Sequence, residues 1–148
     1  MSGYQTFLIT HMLLHLAVAA PLFVLAYNRW NKAGLLVVFA GSWGIDSDHF
    51  IHLITKPTIA VQRLLDGALF DSPYPFLPLH SVELALALMW IGWKYSKRAW
   101  PLLLLGFSFT IHIGFDLGSY MASGLHPLYY SYTGWLLGVA QDRWILLP

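Results

Sequence analysis

The sequence predicts an all-α fold: a polytopic membrane helix bundle with four transmembrane helices and a fifth, short or interfacial helix near the end of the chain. Three observations carry that expectation. The 148 residues are 57% hydrophobic and only 10% charged, whereas a soluble domain carries about 25% charged residues. The apolar residues gather into four runs separated by basic or proline-rich connections. Tryptophans, tyrosines and basic residues collect at the ends of those runs, as they do at membrane interfaces. The length suits one bundle, residues 1–148 forming a single membrane-embedded domain.

The first run covers residues 7–27 and the fourth residues 100–121; each reaches the roughly 20 apolar residues that a span needs. The third, residues 79–95, is shorter but ends in aromatic and basic anchors, and Ser81 is placed to cap its start. The second, residues 33–54, changes character midway. Its first half is apolar, and then Gly41-Ser-Trp-Gly-Ile-Asp-Ser-Asp-His49 is not. That far half has to be buried against the other helices. Residues 133–147 contain Gln141, Asp142 and Arg143 and are too short and polar to span; a re-entrant or interfacial placement suits them. Within the connection 56–78, residues 58–70 read as an amphipathic surface helix, followed by an extended piece at Pro73, Pro75 and Pro78.

Basic residues orient the bundle. Arg29 and Lys32 join the first two runs, and Lys94, Lys97 and Arg98 join the last two. The positive-inside rule makes those connections cytoplasmic. The N-terminus is then extracytoplasmic, in a multi-pass protein of the plasma or inner membrane. Met-Ser-Gly-Tyr-Gln-Thr-Phe has no basic stretch and His11 interrupts the run behind it, so no cleaved signal peptide is expected. The net charge of +1 gives no reason to invoke nucleic acid, and the absence of cysteine excludes disulfides, thiolate metal sites and cysteine nucleophiles.

Within this apolar chain stand His11, His15, Asp46, Asp48, His49, His52, His80, Glu83, His112 and Asp116. An ionisable side chain at the centre of a membrane helix costs roughly 2.5–3.5 kcal/mol, so such groups must face one another, bind something, or both. Histidines and carboxylates without lysine or arginine form a ligand set for a divalent ion. At about 1.5 Å per residue, all four runs carry these groups in the same outer slab. His112 and Asp116 are spaced i,i+4 and share one helix face; a plain His–Asp hydrogen bond between helices is the competing explanation. His11 and His15 have the same spacing, one as ligand and the other as packing residue. Asp46, Asp48, His49 and His52 would spread over about 160° of a regular helix. Asp48 with either Asp46 or His49 is then the expected ligand pair, the rest orienting ligands or serving a second ion. Glu83, one turn beyond His80, is a candidate general base or additional ligand. His126-Pro127 reads as a turn, and Gly41, Gly44, Gly106, Gly114 and Gly118 as sites of close helix packing.

Four of these pieces together resemble the family of LexA-binding, inner-membrane-associated metal-dependent hydrolases, itself distantly similar to zinc-dependent phospholipase C. Thr10-His11 matches the family's early histidine, which favours His11 over His15 as ligand. Ile45-Asp46-Ser47-Asp48-His49 matches a Pro-Asp-x-Asp-His segment, with Ile45 in place of proline. Leu79-His80-Ser81 matches the end of a His-Arg-Gly-x-x-His-Ser segment, His112-Ile-Gly-Phe-Asp116 a late His-x-x-x-Asp, and Gly124-Leu-His-Pro127 echoes the family's tail. The matches run in order from residue 10 to residue 127. The family's His-Arg-Gly falls on Pro75-Phe76-Leu77, so the arginine that would hold a phosphate bidentately is missing; Arg63 and Arg143 are the candidates to replace it.

The function expected from residues and resemblance together is a metal-dependent hydrolase with one or two divalent ions, zinc first. His11, Asp46, Asp48, His49, His80, His112 and Asp116 would be the ligands, and Asp46 or Glu83 the proton acceptor. An ion there would bring a water's pKa toward about 7. The resemblance implies phosphoester or lipid-like substrates reached from the outer leaflet, with membrane lipids as surroundings. The alternative is a non-catalytic metal-binding subunit of a larger membrane complex, with other membrane subunits as partners. A haem-binding or proton-conducting bundle ranks behind both, because haem needs no Asp-x-Asp-His cluster.

Overall fold

Asn31 folds the first helical segment back on itself. The computed structural model describes residues 3–50, 78–121 and 128–138, and these are helical with short turns. Helix α1 covers Gly3–Ser42 but is interrupted at Asn31, whose φ of 53° breaks the helix. Asparagine tolerates positive φ better than most residues. The break makes a hairpin of two arms, residues 3–30 and 32–42. A Cβ added to Gly34 would lie 2.5 Å from the carbonyl oxygen of Ala26, so only glycine lets the arms start this close. Further along, the Trp43 indole donates to the Met12 carbonyl at 3.2 Å and ties the open end of the hairpin.

The second arm stops at Ser42 and a 3-10 segment, Gly44–Phe50, follows. The sequence predicts one continuous helix over residues 33–54. The polar half instead tightens to about 3 residues per turn, which re-aims Asp46 and Asp48. His49 lies in this segment with its side chain outside the described residues, and His52 is also outside them.

Helix α2, Val82–Lys94, begins at the Ser81 cap, whose hydroxyl accepts from the Leu84 amide, as the sequence predicts. Helix α3, Ser96–Met121, bends at Ala99 and carries Pro101 just past that bend, where the helix restarts and a missing amide hydrogen costs little. The α2–α3 pair is a second tight hairpin: a Cβ on Gly106 would meet the Ala85 carbonyl oxygen at 2.8 Å, and one on Gly92 would overlap Leu103. Gly41 plays the same part between α1 and α3, against Ser108. Among the described residues no atom lies within 4 Å of a Cβ built on Gly114 or Gly118, so no close approach is seen there. Helix α4, Tyr132–Leu136, is a short piece of the expected fifth element. The surface helix expected over residues 58–70 and the remainder of the tail lie outside the described residues.

Helix α3 is the centre of the bundle. Its buried stripe reads Leu104, Ser108, His112 and Asp116, one residue every four, which lines them along one face. Toward one end it packs with Ala19, Ala26 and Val38, and Trp30 and Trp100 stack there with centroids 4.6 Å apart. Toward the other its Phe109 and Ile113 pack with Ile45, Ala85 and Tyr130. The basic connections Arg29–Lys32 and Lys94–Arg98 lie at the first end, and the histidines and acids at the second. Large apolar side chains such as Leu13, Leu25, Leu36, Leu86, Trp90 and Trp93 point outward and are exposed.

Among the described residues two helical segments, Ile9–Ser42 and Lys97–Ser119, are long and apolar enough to cross a membrane. The sequence predicts four spans. Two are found because the first pair of runs forms one segment broken at Asn31, and because Val82–Lys94 has 13 residues, about 20 Å of helix at 1.5 Å per residue.

Candidate metal centre

Four pieces of the chain bring the polar residues to one end of the bundle. The first arm of α1 supplies His11 and His15, the 3-10 segment Asp46 and Asp48, the bend before α2 His80, and α3 His112 and Asp116. They form two groups that can hold a metal ion: His11, His15 and Asp116, and Asp46, His80 and His112, the ligand atoms of each lying within 4.8 Å of one another.

In the second group the two imidazoles meet through Nε2, 3.2 Å apart. Asp46 Oδ1 lies 3.2 Å from His80 Nε2 and 3.3 Å from His112 Nε2. The opposite nitrogens are already committed. His112 Nδ1 lies 2.9 Å from the Ser42 carbonyl oxygen, which can only accept, so Nδ1 carries a proton and donates. His80 Nδ1 lies 2.9 Å from Asp48 Oδ1 and donates to that carboxylate. Asp48 also accepts from the backbone amides of Leu79 and His80, at 2.8 and 3.2 Å. Neutral imidazoles fixed in this way turn the lone pair of each Nε2 inward. Two lone pairs and a carboxylate oxygen then converge on one point, an arrangement that a cation relieves.

The first group has the same character. His11 Nε2 and His15 Nε2 are 3.0 Å apart, and each is 3.0 Å from Asp116 Oδ1. His15 is 2% exposed and Asp116 3%. His15 Nδ1 and Asp116 Oδ1 have no hydrogen-bond partner despite their burial. The phenyl ring of Phe115 packs on both histidines. His11 and Asp46, each with 15% of its side chain exposed, form the open side of the cluster.

Several positions differ from the sequence expectation. His15 joins His11 at the same carboxylate oxygen, so the i,i+4 pair supplies two candidate ligands rather than one. Asp48, expected in direct contact with an ion, stands behind His80 and orients it, while Asp46 takes the inner place. In a 3-10 segment successive residues turn by about 120°, and the two acids therefore point apart. Glu83 is turned away from the cluster. Its carboxylate accepts from the Ser81 and Ser131 hydroxyls and from the Tyr132 and Thr133 amides. These bonds make it the anchor of α4. The Tyr132 hydroxyl donates to the Pro78 carbonyl, and burial holds its pKa above the usual phenol value. The Val82 amide donates to the Tyr130 carbonyl, and the Tyr130 ring lies over His80 at 5.2 Å. The Ser42 carbonyl and this Tyr130 cover left no signature in the sequence, since one is backbone and the other comes from a distant turn. The side chain of His49, together with Arg63, His126 and Arg143, lies outside the described residues.

Comparison with known proteins finds no family model, no curated protein and no solved structure that matches this chain.

Proposed function

We propose that this chain is a multi-pass plasma- or inner-membrane metal-dependent hydrolase acting on phosphoester or lipid-like substrates, its site near the extracytoplasmic face. The observation that carries the reading is the inward convergence of His80 Nε2, His112 Nε2 and Asp46 Oδ1, with both Nδ1 atoms held from behind by Asp48 and Ser42. Imidazole nitrogens backed by a carboxylate or a carbonyl are the usual form of a zinc ligand, and the mixed nitrogen and oxygen donors suit zinc better than magnesium or calcium. An ion there would acidify a water and polarise an ester. Asp46, the part-exposed carboxylate, is placed to take a proton, because Glu83 is occupied elsewhere. The exposed leucines and tryptophans support acyl chains as the surroundings, with the arms of α1, α2 and α3 as four transmembrane elements. The resemblance to the LexA-binding, inner-membrane-associated hydrolases supports the substrate class.

The test joins elemental analysis of the purified protein to a phosphodiesterase assay, before and after chelation. Zinc retained by the wild type, lost in His112→Ala, and required for turnover is the expected result. Protein free of metal, or metal content indifferent to His112→Ala, would overturn the reading.

One observation favours a second reading, a non-catalytic metal-binding subunit of a membrane complex. Among the described residues every lysine and arginine lies at the far end of the bundle, about 20 Å of helix from His112. None is at hand to grip a phosphate. Bound metal without turnover, in a protein that copurifies with fixed partners, would decide for this alternative.

A further inference from the structure

Asp116 belongs to both ligand groups. Its Oδ1 faces His11 and His15 at 3.0 Å each. Its Oδ2 faces His112 at 3.2 Å and His80 at 3.7 Å. We infer that the two groups are one dinuclear centre in which Asp116 bridges two unlike cation sites, a firmly built one at Asp46, His80 and His112 and a weaker, exchangeable one at His11 and His15. The inference rests on the metal-binding reading above and extends it to the number, order and exchange of the ions.

Three features support the bridge. The His15 and His112 rings belong to different groups, yet they stack with centroids 3.8 Å apart and planes 9° from parallel. Each ring points its Nε2 at a different oxygen of the same carboxylate. The stack sets the two ligand groups side by side on one carboxylate, the arrangement of sites whose two ions lie roughly 3.5–4 Å apart. The second feature is the state of Asp116 itself. It is buried, and its Oδ1 is 3.0 Å from two nitrogens without hydrogen-bond geometry to either. A buried carboxylate oxygen without a hydrogen bond is costly, and coordination would satisfy it. The third is i,i+4 spacing on two helices at once: His11 and His15 on α1 face His112 and Asp116 on α3.

The inequality of the sites follows from their supports. His80 and His112 are both held from behind, and orientation of that kind is worth about 10–100-fold in metal affinity. The buried His15 Nδ1 has no such partner. The His11 and His15 site also has fewer donors, since only Asp116 Oδ1 joins the two imidazoles. The firm site therefore fills first. The second ion, held by fewer and less supported donors, is the one that exchanges.

The experiment is metal titration of apo-protein with zinc, read by elemental analysis, and manganese loading read by electron paramagnetic resonance. Wild type is expected to take up two zinc ions in two separate steps. Loaded with manganese, it should give the spectrum of a spin-coupled pair. His11→Ala and His15→Ala should each retain one ion and show the uncoupled spectrum, and His11, being part-exposed, is the variant less prone to disturb packing. Asp116→Asn should weaken both steps. One ion in wild type, unaffected by His11→Ala, would overturn the second site while leaving a mononuclear metalloprotein intact. Two ions without coupling would overturn the bridge. Two equal steps would overturn the ranking of the sites. No ion at all would overturn the metal-binding reading itself.

Discussion

A single carboxylate sets the chemistry of His80. Asp48 accepts three hydrogens, two from backbone amides and one from the imidazole, so it fixes the bend before α2 and the tautomer of the ring together. Asp48→Asn replaces one acceptor oxygen by a donor and removes the charge. Metal affinity should fall by about 10–100-fold, measured by competition with a chromophoric chelator, while the circular dichroism stays helical. Unchanged affinity would show that His80 needs no support. Ser42 makes the contrasting case. Its carbonyl holds His112, but its own hydroxyl is buried without a partner. Ser42→Ala removes only that hydroxyl, so stability should hold or rise with metal affinity unchanged; a loss of either would mean that the hydroxyl has a partner after all. At this scale the sequence was informative about which residue types gather and uninformative about which atom faces which. Types and i,i+4 spacings bring His11, His15, His112 and Asp116 together on paper. The exchange of roles between Asp46 and Asp48 depends on a 3-10 segment, a backbone choice that the tertiary packing of Trp43 and Ile45 makes and that local sequence does not announce.

The elements are joined by close approaches and by one anchoring carboxylate. Gly41 lets α1 reach Ser108 of α3, and this brings the Ser42 carbonyl within reach of His112 one turn along. Glu83 does comparable work for α4: four donors converge on its two oxygens. Glu83→Gln keeps the shape but substitutes an NH2 group for one of those oxygens, turning donor toward donor. The loss should be about 1.5 kcal/mol for a charged acceptor at a partly exposed site, roughly a tenfold faster opening of this segment. Hydrogen exchange of the Tyr132 and Thr133 amides is the direct measure, and protection equal to wild type would show that the Tyr130 and Tyr132 contacts hold α4 alone. The capped start of α2 and the extent of α3 were legible from Ser81 and from the apolar run behind Trp100. The hairpin break was half legible: Arg29 to Lys32 marks a connection, but only the structure places positive φ at Asn31 and so shows how little chain the reversal needs.

At the scale of the whole bundle the described residues are polarised. Five of its eight basic residues, Arg29, Lys32, Lys94, Lys97 and Arg98, cluster at the turns of the two hairpins, beside the stacked pair Trp30 and Trp100 and the contact of Lys94 with the Trp90 ring. The acids of the described residues, Asp46, Asp48, Glu83 and Asp116, occupy the opposite end. In a bilayer such a bundle has one favoured orientation, because cationic connections are retained on the cytoplasmic side. In the proposed topology the metal-binding end would face outward, where water would reach His11 and Asp46. The absence of cysteine makes this orientation directly measurable, since a single introduced thiol is the sole target of a maleimide. Asn28→Cys lies in the exposed last turn of the first arm of α1, beside the break at Asn31, and Ser47→Cys on the exposed surface of the 3-10 segment. In intact, right-side-out cells a membrane-impermeant maleimide should label Ser47→Cys and spare Asn28→Cys, and inverted vesicles should reverse the pattern. Labelling of both from one side would place the hairpins on a membrane surface instead of across it. Labelling of Asn28→Cys alone from outside would turn the bundle over, and the centre would then draw its substrate and its ions from the cytoplasm.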